Sequence, residues 1–145
     1  MNQGVTSMER SFKRVELVIP GEPVAKGRPR VGKGFTYTPK KTVIYENFVK
    51  ECYIITNTNK KLTGAIFCEI KAYFQIPKSK SKKIKEKMKA GEERPTKKPD
   101  LDNLAKSILD SLNQIAYDDD SQVVELKMSK FYSDNPRVEV ILQEI

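Results

Sequence analysis

The chain has 145 residues, with 27 lysines and arginines against 19 acids, no histidine and a formal charge of +8. That length builds one core and not two, no apolar run approaches the roughly 20 residues of a membrane span, and the missing histidine excludes both zinc centres of the usual kind and triads with a His base. The basic balance puts nucleic acid first among partners, with a plain solvated lysine face as the alternative.

The polar start, MNQGVTSMERSFKR, lacks the apolar core of a signal peptide, so a cytoplasmic protein with a flexible stretch over residues 1–12 is expected. KRVELVI (13–19) is β-branched and apolar and predicts a strand ending at Pro20. GEPVAKGRPRVGKG follows, too rich in Gly and Pro for regular structure, and Phe35 and Tyr37 form the return of a small hairpin. KKTVIYENFVKECYIIT (40–56) places Ile44, Phe48, Cys52 and Ile55 at helical spacing. AIFCEIKAYFQI (65–76) alternates as a strand, with Ile66, Cys68, Ile70 and Ala72 on one face. Cys52 and Cys68 lie far apart in apolar segments and are expected to be buried free thiols.

Residues 78–94 are lysine-rich, with Ile84 and Met88 four apart, which suits a short exposed helix or a segment ordered only on DNA. Leu101, Leu104, Ala105, Ile108, Leu109, Leu112 and Ile115 predict a helix over 101–115. QVVELKMSKFY, the turn SDNPR and VEVILQ predict a β-hairpin. The expected fold is one α+β domain over 1–145, a mixed or antiparallel sheet packed by two main helices.

Charge is distributed unevenly along this order. Residues 100–125 hold seven acids against one base, Lys106, whereas 26–41 hold six bases and no acid, and 78–98 hold ten bases and three acids. Asp100 and Asp102 open the predicted helix, and Asp102, Lys106 and Asp110 share its polar stripe. Asp118, Asp119 and Asp120 repel one another unless a cation or several donors sit among them. Caps and i,i+4 pairs would account for each carboxylate taken singly. Taken together, carboxylates between basic segments suit hydrolysis of phosphodiesters with a hard cation, Mg²⁺ or Mn²⁺.

KPDLDNLAKSILDSLN followed by DDSQVVELKMSKFY resembles the signature of the RusA family of Holliday-junction resolvases, and PGEPVAKGRPRV with YTPKKTVIYE is similar to its phage and prophage branch. The resemblance implies a homodimeric, Mg²⁺-dependent endonuclease of DNA recombination and repair that cuts four-way junctions. By position it implies metal-binding carboxylates at Asp100, Asp102 and Asp120, with Asp119 as supporting neighbour or alternative ligand, and a catalytic lysine at Lys106; Asp118 matches no family position. Lys26, Arg28 and Arg30 are candidates for phosphate contacts, and Lys82, Lys83, Lys85 and Lys87 for longer-range attraction to DNA. Paired incision calls for a C₂ dimer, joined through apolar surface of the sheet or of the 41–56 helix. A non-catalytic nucleic-acid-binding module, with Tyr37, Tyr73, Phe131 or Tyr132 as stacking platforms, is the rival reading. A D-x-D phosphatase ranks last, because its motif ends a strand and this one opens a helix.

Overall fold

Alternating burial runs down three of the strands and fixes which of their faces meets the core. The computed structural model describes residues 11–58 and 60–145, so the terminus expected over 1–12 lies outside them except for Ser11 and Phe12. β1 (Arg14–Pro20) buries Val15, Leu17 and Ile19. The Gly/Pro-rich stretch that follows carries the short pair β2 (Arg30–Gly32) and β3 (Phe35–Tyr37), a two-stranded sheet of its own. Next come α1 (Lys40–Thr56) and β4 (Ile66–Gln75), which buries Ile66, Cys68, Ile70 and Ala72. α2 (Lys82–Lys89) and α3 (Leu101–Ser111) precede β5 (Val123–Ser133) and β6 (Arg137–Glu144).

The main sheet has the order β1-β6-β4-β5 and is mixed, with β4 and β5 parallel and the other pairs antiparallel. A parallel pair needs a long crossover. Residues 76–122 supply it and carry α2 and α3. The expected hairpin of the last two strands is therefore corrected: β5 and β6 are consecutive, but β4 lies between them. The apolar face of β4 gains most from a central place, whereas β5, with Glu125, Lys127 and Lys130, tolerates the edge.

A second correction concerns α1. It buries Thr42, Tyr45, Val49 and Tyr53, while Ile44, Phe48 and Ile55 are exposed and Cys52 is half-buried. Two apolar stripes of equal spacing compete on this helix. The tyrosine stripe wins because its rings fill the gap over the sheet while the Tyr53 hydroxyl still donates to the Lys60 carbonyl. Both cysteines are free, and only Cys68 is buried. The third difference is length: α3 stops at Ser111, short of 115, and Gln114 has φ +68°. Leu112 and Ala116 nevertheless stay buried, so the periodicity continues through the turn and conceals the helix end.

The buried residues of β1, β4, β6, α1 and α3 form one apolar cluster. α2 stands outside it yet is well tied down. Ser81 Oγ accepts from Ile84 N at 3.3 Å as its N-cap, Met88 is buried, and Lys89 pairs with Asp134 at 2.8 Å. No helix among the described residues is long and apolar enough to cross a membrane.

Candidate active site

α3 organises the acidic residues. Its leucine face is buried on the sheet, so Asp102 and Lys106 are turned outward and exposed, and Asp110 is half-buried. Asp100 occupies the N-cap position, but its side chain makes no capping hydrogen bond. Its carboxylate is left free to bind something else. Among the described residues Asp100, Asp102 and Lys106 form no ion pair. The i,i+4 bridges that would have made this stripe merely structural are absent.

Asp110 is bound to a different base. Lys26 Nζ lies 2.9 Å from Glu46 Oε2 and 3.1 Å from Asp110 Oδ2, tying α1 to α3. Burial works against the Lys26 charge, but the Glu46 and Asp110 carboxylates outweigh it and lift the Lys26 pKa above its ordinary value. Lys26 is thus a half-buried base held by two carboxylates, whereas Arg28 and Arg30, the other two candidates from that loop, are exposed, and all three border one groove.

The three consecutive aspartates have three different environments. Asp118 pairs with Lys61 at 2.6 Å. Asp119 caps the short 3-10 turn Asp120–Gln122, accepting from Ser121 N at 3.1 Å, and its hydrogen bonds to Ser121 hold its pKa low. Asp120 turns towards Asp110; burial first, then the Asp119 and Asp110 carboxylates, raise its pKa. Gln122 explains why the turn has this sequence. Its Oε1 accepts from Asp118 N at 2.9 Å and Asp119 N at 3.1 Å, and its Nε2 donates to Gly64 O at 3.1 Å. Asn113 Oδ1 accepts from Asp120 N at 2.9 Å.

The start of α3 has its own brace. Lys130 of β5 donates from Nζ to Lys97 O at 2.7 Å and Pro99 O at 2.9 Å, the carbonyls just ahead of Asp100. Neither Lys130 nor Glu46 stood out in the sequence. Both are charged residues in elements read for their apolar pattern, and no spacing signals a contact made across the fold.

Asp100 also lines a groove of about 880 Å³ whose other walls include Arg28, Arg30, Lys41, Lys98 and Asn103. Lys82, Lys83, Lys85 and Lys87 lie apart from it on α2, exposed except for half-buried Lys85.

The donors are all carboxylate oxygens, the chemistry of hard divalent cations. Among the described residues no group of three or more acids gathers about one point. Asp102 and Asp110 are separated by about 12 Å of helical rise, so the acids divide between two places, Asp100 and Asp102 at the start of α3 and Asp110 facing Asp120 near its end. Mg²⁺ commonly takes one or two carboxylates and completes its shell with water and substrate phosphate. Two acids at each place fit that pattern.

Over residues 20–143 the chain matches the family described as Endodeoxyribonuclease RusA. It is also 44% identical over 137 residues to the uncharacterized protein YqaN of Bacillus subtilis (strain 168), a match covering 90% of this chain and 96% of that protein.

Proposed function

The chain belongs to the RusA endodeoxyribonuclease family, and from that premise we propose that it resolves four-way DNA junctions in the cytoplasm by Mg²⁺-dependent paired incision, in recombination and repair. The observation that carries this reading is the groove that Arg28, Arg30, Lys41 and Lys98 line together with Asp100. Bases on the walls neutralise a phosphodiester backbone, and an acid at the same place keeps a cation beside it. A binding module without catalysis would gain nothing from that carboxylate, which repels DNA unless a cation offsets it.

Asp100 and Asp102 hold the cation at the start of α3, and Asp120 is the ligand at the second place, since Asp119 is committed to its cap. When bound, the cation lowers the pKa of a water and withdraws charge from the phosphate; Mn²⁺ substitutes for Mg²⁺. Lys106, one turn along the same face and free of ion pairs, stabilises the charge that develops on the phosphate. Lys26 acts from inside, fixing Asp110 and hence its neighbour Asp120. The lysines of α2 attract DNA at longer range.

The enzyme works as a homodimer, since one acidic centre makes one cut. The exposed α1 stripe of Ile44, Phe48 and Ile55 supplies the contact, being apolar surface left uncovered by the described residues. Asp102→Asn tests the site. Cleavage of a junction should be lost while binding is kept or slightly strengthened, because a ligand and a repulsive charge are removed together. Ca²⁺ should support binding without cleavage, its looser coordination placing the water poorly. Nicking by Asp102→Asn at the parental rate would remove Asp102 from the site.

A further inference from the structure

We infer that the β2–β3 hairpin is a base-stacking platform, on which Phe35 and Tyr37 take the open face of a nucleobase at a DNA branch point. This rests on the nuclease reading above and adds the element that would recognise branching. The register sets Arg30 opposite Tyr37 and Gly32 opposite Phe35, so these four residues share one face of the hairpin. The two rings are 5.9 Å apart and inclined at 43°. The Phe35 ring lies across Gly32, where a Cβ would come within 2.5 Å of it, so glycine lets the ring lie down on the strand.

Phe35 is 59% and Tyr37 47% exposed. They therefore add little to the core, and the charges around them point to their ligand. Residues 26–41 carry six bases and no acid. An apolar protein partner would account for the rings but not for that charge, and a phosphate for the charge but not for the rings. A nucleobase on its own backbone accounts for both, the base stacking on the rings and Arg30 beside them reaching phosphate.

The other aromatic pair on the main sheet is closed to such a role. Tyr73 and Phe131 stack on each other at 5.2 Å, and Arg137 and Arg94 cover their outer faces at 3.9 Å each. The hairpin also adjoins the groove, since Arg28 and Arg30 wall it together with Asp100. A base on Phe35 would thus belong to DNA lying by the acidic centre. Intact duplex offers no free base face, whereas base pairs at the point of an open, unstacked branch lack a stacking neighbour on one side. The hairpin accordingly favours branched over linear DNA.

The test uses the full chain and a four-way junction with 2-aminopurine at the branch point or in the middle of an arm. The wild type should change the fluorescence of the branch-point probe and leave the mid-arm probe unaltered. Phe35→Leu keeps apolar bulk but loses the π face. It should abolish the change and weaken junction binding by about 5- to 150-fold, with duplex binding unchanged, whereas Phe35→Trp should preserve both. A leucine variant with the parental fluorescence change and junction-over-duplex preference would overturn the inference, as would equal losses on junction and duplex. Wild-type protein that fails to bind junctions at all would instead overturn the nuclease reading, and this inference with it.

Discussion

Lys130 is not paired with any of the three proposed ligands, Asp100, Asp102 and Asp120, among the described residues, yet it holds the two carbonyls that lead into Asp100. Lys130→Met should let that strand loosen. The Mg²⁺ concentration needed for half-maximal cleavage should rise and kcat fall, with the KM for junction DNA nearly unchanged, and Lys130→Arg should recover part of the loss. A titration of rate against Mg²⁺ reads this directly, and a parental metal dependence in Lys130→Met would reduce the contact to a surface brace. Glu144 serves stability in a comparable way. Buried at the sheet end, it accepts from Lys13 N and Thr63 N at 2.8 Å each. Although burial opposes its charge, these hydrogen bonds prevail and lower its pKa from the ordinary 4.5. Such a carboxylate stabilises the fold above the unfolded-state pKa and loses that contribution as pH falls through the folded one. Glu144→Gln should therefore unfold more easily at neutral pH, by about 1–3 kcal/mol in urea melts, and the deficit should close as pH drops below 4.5.

Among elements, α2 is the one whose role separates cleanly from catalysis. Replacing Lys82, Lys83, Lys85 and Lys87 together by alanine should weaken all DNA binding and flatten its salt dependence, the slope of log K on log salt falling by about 0.9 for every phosphate no longer neutralised. The turnover of bound junction should hold. An unchanged slope would make the lysines a solvated face. What the sequence disclosed of the elements depended on how far each pattern was unique. β4 and the leucine face of α3 each have one apolar stripe. That of β4 is buried as expected, and on α3 Leu104, Ala105, Ile108 and Leu112 are buried, whereas Leu101 at the helix start is exposed and Leu109 and Ile115 are half-buried. α1 has two such stripes, and spacing alone could not show that Tyr45, Val49 and Tyr53 would displace Ile44, Phe48 and Ile55. Local turn chemistry at Ser133–Pro136 favoured a hairpin, but strand order is set by the long-range demand of β4 for two neighbours. For the site, D-x-D-N-L-x-K marked the exposed stripe of α3, and D-D-x-Q-V marked the turn held by Gln122. The division of the acids along α3 follows from helical rise alone, whereas the contact of Lys26 and Glu46 that holds Asp110 joins residues distant in sequence and has no local signal.

For the whole molecule, the same α1 stripe that the core declines is the proposed dimer contact. Phe48→Glu should shift sedimentation from near twice 16.6 kDa to near that value, and paired incision should decay into single nicks without loss of fold. A wild type that stays monomeric on junction DNA would contradict the dimer. The central claim, that this acidic centre among basic walls cuts branched DNA with a divalent cation, is tested most directly by end-labelled four-way junctions incubated with the purified chain, in Mg²⁺ and in EDTA. Symmetric nicks in two opposing strands near the branch point are expected, present with Mg²⁺ and absent with EDTA. Binding without nicks in Mg²⁺ and Mn²⁺ alike, or nicks that persist in EDTA, would contradict that claim.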